Sequence, residues 1–241
     1  MSSFTTTVNN VKLPGRLGNP DAFMGNDDRV HPGILNTFAP YTLHNRPVGL
    51  IGGKASLEDI HTYCDAAEAG YAGAFEAMLG SLPPIKGVNN RTEVIKGVDG
   101  NDINLYISTP VNHGPTSDPV PLLFHTHGGG MVICTAQDPI YLRWRDHLAK
   151  RGCVVVGVEF RNGSGKLGRH PFPAGLNDCM SGLQWCHDNR SNLNVSKIVI
   201  TGESGGGNLS IACSLKAKQD GKSDQIQGCY ALCPYIYGGK S

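Results

Sequence analysis

The sequence has no apolar run near membrane-span length, no Cys-x-x-Cys pair and almost no net charge. Without the first, there is no stretch from which a helix could cross a bilayer, so no membrane span is expected. The opening Met1-Ser-Ser-Phe-Thr-Thr-Thr-Val-Asn-Asn has neither the basic start nor the apolar segment of a secretory signal, and the expected location is cytoplasmic. Lys and Arg number 21 against 20 Asp and Glu, so nothing marks a nucleic-acid or polyanion surface. The eight cysteines form no zinc or disulfide pattern, and no metal is expected. Cys153, Cys213, Cys229 and Cys233 fall inside apolar patterns, where Cys behaves as a small buried hydrophobe. Nothing in the sequence bears on oligomeric state.

What is abundant is glycine, 32 in 241 residues. A chain of this length can bury one substantial core with a small appendage. The most informative stretch is Ile198-Val199-Ile200-Thr201-Gly202-Glu203-Ser204-Gly205-Gly206-Gly207-Asn208. It reads as a β-branched strand, a tight glycine turn and a helix beginning near Gly206. Ser204 is the centre of Gly-x-Ser-x-Gly. Small residues at Gly202 and Gly206 let the chain turn sharply and hold the hydroxyl above the strand. The motif alone is weak, because Gly-rich turns with Ser are common; the strand before it and helical pattern after it make it specific. A second glycine turn, His127-Gly128-Gly129-Gly130, closes another apolar strand, Val120 to His127.

In chain order, residues 1 to about 50 are rich in Gly, Pro and Asn without periodicity, and are expected to be partly flexible loop with a short helical turn after His31-Pro32. Ser56 with Asp59 forms an N-cap signal. Ile60, Tyr63, Cys64, Ala67, Tyr71, Phe75, Met78 and Leu79 then recur at helical spacing, broken by Gly70 and Gly73. That stripe is expected to pack on the main domain. The other reading makes it a cap lining a pocket. After Pro83-Pro84, Thr92 to Val98 and Ile103 to Ser108 read as a hairpin. Strand and helix patterns then alternate to Ile226–Pro234, interrupted by an irregular stretch from Arg161 to Pro173. This alternation predicts an α/β fold whose mainly parallel sheet is covered on both faces. The expected division is 1–85, flexible segment plus helical cap, and 86–241, the core.

A serine hydroxyl needs a base to become a good nucleophile, and an acyl-transfer intermediate needs donors aimed at its oxyanion. The His127–Gly130 turn suits the second role, since glycines leave successive amides free to point at one spot. The amide of Gly205 would add a donor.

These motifs in this order resemble the hormone-sensitive-lipase-like branch of the α/β-hydrolases. His127-Gly128-Gly129-Gly130 is similar to its oxyanion motif, and Gly202-Glu203-Ser204-Gly205-Gly206-Gly207-Asn208-Leu209 to its elbow. His170-Pro171-Phe172-Pro173-Ala174 and the stretch from Asp178 to Trp185 resemble further family segments, so the likeness covers roughly residues 90 to 236. It implies a carboxylic ester hydrolase without cofactor, acting on a small-molecule ester. Ser204 would be the nucleophile, with Gly129, Gly130 and Gly205 donating to the oxyanion. His127, Gly128, Gly202, Glu203 and Gly206 would support the motifs.

There are departures. Glu203 stands where Asp is commoner, which is similar to the longer carboxylesterase–cholinesterase group. Arg161 to Arg169 carries extra Gly and Ser. In the family the acid and the histidine follow the serine, whereas all nine histidines here precede Ser204 and only Asp220 and Asp224 follow it. The expectation is therefore a hydrolase sheet lacking its last two strands, truncated at the C-terminus and weak or inactive as it stands. The alternative is a non-catalytic, receptor-like binder or decayed paralogue. A nucleotide-binding Gly-rich domain fits poorly, because neither Gly-x-Gly-x-x-Gly nor a Walker pattern is present.

Overall fold

The computed structural model describes residues 21–41, 43–45, 51–52 and 54–236. The chain falls into two compact units that divide between Ala55 and Ser56. In the first, Pro32–Phe38 forms the short helix α1, capped by His31, whose Nδ1 accepts the Gly33 amide at 3.0 Å. The remaining sequence reading of residues 1–20 and 46–50 as loop lies outside the described residues.

The second unit opens with α2, Leu57–Leu79. Ser56 caps it by accepting the Asp59 amide at 3.1 Å, and donates its hydroxyl back to the Asp59 carboxylate at 2.6 Å. The helix runs through Gly70 and Gly73 without a break. The expected apolar stripe packs only in part: Cys64 and Ala67 lie against Ile133, Cys134 and Tyr141, and Phe75 meets the Tyr141 ring, but Tyr63 and Tyr71 are exposed, and the two buried side chains are His61 and Glu68.

Six strands follow among the described residues: β1 Val88–Lys96, β2 Asp102–Pro110, β3 Val120–Thr126, β4 Val154–Val158, β5 Val195–Glu203 and β6 Gly228–Leu232. They form one sheet in the order β1-β2-β4-β3-β5-β6. The hairpin β1–β2 and the pair β2–β4 are antiparallel, and the remaining pairs are parallel. Three helices cover the sheet: α3 Pro139–Lys150, α4 Ala174–Asp188 and α5 Gly205–Gln219. The mainly parallel α/β sheet expected from alternation is present.

Strand alternation assigns the two faces. His125 on β3 and His127, just past its end, meet the Tyr141 ring of α3 at 6.1 and 5.4 Å between centroids. Phe124 points the other way, onto Gly182 of α4, where a Cβ would lie 3.0 Å from its ring. The core combines β2–β5 with α4 and α5, through residues such as Leu105, Phe124, Val156, Leu183 and Ile200, all fully buried. β6 is the last strand of this sheet, and Tyr230 and Leu232 are exposed on it. Cys229 and Cys233 are exposed too, against the expectation that they pack as small hydrophobes. Among the described residues β6 pairs on one edge only, and neighbouring residues such as Cys229 and Tyr230 are both exposed, so neither face is fully covered there.

Candidate active site

Parallel pairing of β3 with β5 sets Thr126 beside Gly202, so the two glycine turns leave neighbouring strands at the same end of the sheet. Ser204 follows β5 with φ 53° and ψ −116°, and α5 starts at the next residue. Its backbone is fully engaged. The amide donates to Leu232 O at 3.0 Å, while the carbonyl accepts from Asn208 N at 3.0 Å and Tyr235 N at 2.8 Å. The side chain is half-buried, and among the described residues no group hydrogen-bonds its Oγ.

Glycine is required where the two turns meet. A Cβ on Gly202 would collide with the carbonyl and hydroxyl of Thr126, and one on Gly206 with the Thr126 and His127 carbonyls. One on Gly205 would sit 2.6 Å from the amide nitrogens of Gly130 and Met131. The residue after Ser204 therefore lies face to face with the Gly128–Met131 turn. Three of that turn's residues have left-handed backbone, Gly129 (φ 104°), Gly130 (φ 67°) and Met131 (φ 65°), and so does Cys134 (φ 74°) three residues on. For the two that are not glycine this costs on the order of 1–3 kcal/mol each. Gly129 O accepts both Val132 N and Ile133 N, at 3.0 and 3.1 Å, which closes the turn.

Glu203 joins the two turns through its side chain. Oε1 accepts the Gly128 amide at 2.9 Å and Oε2 accepts His125 Nε2 at 3.0 Å. Burial works to raise this carboxyl, but His125 and the Gly128 amide outweigh it and hold the group below its ordinary range. Burial pushes His125 down, against the hydrogen bond and charge of Glu203.

His127 is fully buried, stacked on Phe160 with ring centroids 4.2 Å apart. Its Nδ1 donates to Gly128 O at 2.7 Å, and Nε2 has no hydrogen-bond partner among the described residues, lying 3.8 Å from Glu159 Oε1. An unpaired ring nitrogen fits a neutral imidazole, and burial lowers the pKa of His127 to about 4. The ring supports the turn from beneath rather than reaching Ser204 Oγ.

The irregular stretch after β4 lies alongside the same turn. Gly163 N donates to Met131 O at 3.0 Å and Ser164 N to Val132 O at 2.9 Å. Asp178, fully buried on α4, anchors that stretch by accepting Arg161 N at 2.8 Å and Arg161 Nε at 2.9 Å. A cavity of about 680 Å³ opens between this stretch and α2, lined by Leu57, Glu58, His61, Gly163, Arg169 and Pro171. Asp220 pairs with Lys216 and Asp224 lies in a short 3-10 turn, and neither hydrogen-bonds a histidine.

Sequence reading singled out Ser204, Gly205, Gly130 and their neighbours, and the structure gathers them. It missed Met131, whose amide nitrogen is as close as that of Gly130 to where a Cβ on Gly205 would sit, because nothing in a methionine's identity predicts left-handed backbone. It also missed His125. The signal there was the spacing of His125 and His127, two residues apart on a strand and so on one face. Among the described residues no cluster of His, Cys, Asp and Glu could hold a metal ion, and no helix is long and apolar enough to cross a membrane.

The profile of the α/β hydrolase fold family matches residues 123–240. Among solved structures, brefeldin A esterase, described as a bacterial homologue of human hormone-sensitive lipase, superposes with a TM-score of 0.87 and 37% identity over 94% of this chain. Tuliposide A-converting enzyme b1, amyloplastic, of Tulipa gesneriana is 28% identical over 181 residues, 70% of this chain. Probable carboxylesterase 5 of Arabidopsis thaliana is 26% identical over 170 residues, 66% of this chain. The chain spans 62% of the length of brefeldin A esterase, and 46% and 52% of the two plant proteins.

Proposed function

This chain is an α/β-hydrolase, matched to that family over residues 123–240 and similar to hormone-sensitive-lipase-like esterases, and from that premise we propose that it carries the nucleophile and oxyanion half of a carboxylic ester hydrolase. The observation that carries the reading is the meeting of Gly205 with the amides of Gly130 and Met131, directly beside a serine whose hydroxyl has no hydrogen-bond partner among the described residues. Ser204 Oγ attacks the ester carbonyl carbon and gives its proton to a base. The carbonyl oxygen becomes an oxyanion, held by the amides of Gly129, Gly130 and Gly205, each donor contributing about 3–4 kcal/mol. Collapse expels the alcohol, which takes up the proton, and water then hydrolyses the acyl-enzyme. His127, Gly128, Gly202, Glu203 and Gly206 shape the two turns. This chemistry needs neither metal nor organic cofactor. Residues 86–241 act as the core and α2 as a cap. The eight free cysteines favour a reducing compartment such as the cytoplasm.

No imidazole among the described residues reaches Ser204 Oγ, so the polypeptide 1–241 should turn over slowly, since loss of a triad base costs several orders of magnitude in rate. A fluorophosphonate probe followed by mass spectrometry tests both parts. Slow modification confined to Ser204, abolished in Ser204→Ala, is the expected result. Labelling elsewhere, or none, overturns the nucleophile; labelling as fast as in a complete serine hydrolase overturns the missing base. The same unpartnered hydroxyl favours a second reading, a ligand-binding module on this fold. Tight, saturable binding of esters that are recovered intact, with no covalent Ser204 adduct, would favour it.

A further inference from the structure

Helix α2 buries two side chains, and both are polar. They are seven residues apart, two helical turns, and so lie on one face. His61 Nδ1 meets Ser164 Oγ at 2.8 Å. Glu68, only 6% exposed, accepts the Cys134 amide on Oε1 at 2.7 Å and the Lys166 amide on Oε2 at 2.6 Å. No cation pairs with it among the described residues, and the Lys166 ammonium goes instead to Asp138 at 3.2 Å. A buried carboxylate spent on two main-chain amides from two different loops is costly to keep unless those loops must be held.

The receiving loops are built for it. Gly165 has φ 73°, and a Cβ there would lie 2.6 Å from Glu68 Oε2, so the carboxylate occupies space that only glycine leaves open. Ser164, beside it, takes His61. These two residues belong to the Arg161–Arg169 stretch that departs from the family pattern. On the other side, Cys134 has left-handed backbone, a conformation that persists in a non-glycine residue only when its surroundings impose it. Its amide is fixed by Glu68 and its carbonyl by Asn162 Nδ2 at 2.7 Å. The preceding residue, Ile133, is hydrogen-bonded to Gly129 O at 3.1 Å. One turn of chain therefore links the atom that Glu68 holds to the glycines facing Gly205.

We propose that Glu68 is a positioning residue for the oxyanion turn: from α2 it clamps Cys134 and Lys166 so that the Gly129–Cys134 segment keeps the reversal that aims its amides. The assignment rests on the reading of Gly129, Gly130 and Gly205 as oxyanion donors. Glu68→Gln keeps the size but leaves one acceptor oxygen for two amides. Glu68→Ala leaves both buried amides unpaired.

Hydrogen exchange of the 241-residue chain and of both variants, read on peptides spanning 129–136 and 195–203, is paired with the rate of fluorophosphonate modification of Ser204. Hydrogen bonds to charged groups of this kind correspond to changes of about tenfold or more. Exchange across 129–136 should rise about tenfold in Glu68→Gln and further in Glu68→Ala, with 195–203 unchanged and Ser204 modification slowed in the same order. Unchanged exchange across 129–136, an equal rise across 195–203, or faster loop exchange with unaltered Ser204 modification overturns the proposal. Should Glu68→Ala fail to fold, Glu68→Gln decides alone. A wild-type chain that the probe never modifies would overturn the hydrolase reading alone, because exchange reads the loop without any chemistry at Ser204.

Discussion

The junction of β3 and β5 and the helix α2 flank the same turn, yet they are held by opposite means. At the junction, backbone meets backbone. Gly202, Gly205 and Gly206 press against main-chain atoms of Thr126, His127, Gly130 and Met131, leaving no room for a side chain. On α2 the glycines at 70 and 73 have nothing within 4 Å, and two hydrogen-bonded polar side chains are what the helix buries. The junction is a place where shape is imposed by excluded volume, and the helix one where it is imposed by a few directional bonds. At the first a side chain has no room; at the second a single substitution removes the bonds that hold the turn.

The sharpest way to break this contrast is to put the same substitution into both regions. Gly206→Ala drives a methyl into the Thr126 carbonyl, and is expected to cost about 3 kcal/mol, the upper end of overpacking penalties. Urea unfolding at constant m-value measures it, and a loss below about 1 kcal/mol would show that the junction yields. Gly73→Ala, on an exposed helical position with open space around it, should change sign and stabilise by about 0.5–1 kcal/mol. A destabilising Gly73→Ala would mean that α2 packs more closely there than its open surroundings allow.

A pH effect that belongs to the junction is comparable in size to the first of these. The pKa of His127 drops from the ordinary 6.5 to about 4 when the chain buries it. Between those values the unfolded chain binds the proton and the folded one does not. Stability is thus complete above pH 6.5 and is lost as pH falls toward 4, by about 3 kcal/mol from this group. His125, also pushed down by burial, adds in the same direction. Denaturant midpoints for wild type and His127→Asn across pH 7 to 4.5 test the assignment. The variant should show the shallower dependence, and parallel curves would rule His127 out as the group responsible.

Much of the site was legible because it is local. A strand, a serine between small residues and a helix are a few dozen atoms of chain whose geometry follows from their own side chains, and the His127–Gly130 turn is legible for the same reason. The first strand was read short at its start, β1 beginning at Val88 rather than Thr92, since pairing with β2 extends a strand beyond its apolar residues, whereas the last was read long, Ile226–Pro234 against Gly228–Leu232. On α2, periodicity pointed to a stripe of which Cys64, Ala67 and Phe75 do pack while Tyr63 and Tyr71 face solvent, and full burial went to His61 and Glu68. Apolar spacing reports where a helix could pack, but a loop offering an amide, a hydroxyl and a gap at Gly165 drew in a carboxylate and an imidazole instead.

By itself, then, the amino-acid order determined the alternation of strands and helices, the sharp bend at Ser204 and the glycines that permit it, because each depends on neighbours in the chain. Only the tertiary structure decided that β3 lies beside β5, that Met131 faces Gly205 together with Gly130, and that Glu68 reaches Cys134 across 66 residues. Those contacts join distant segments. Their energy depends on which surfaces the sheet brings together, and no local pattern in the chain encodes that.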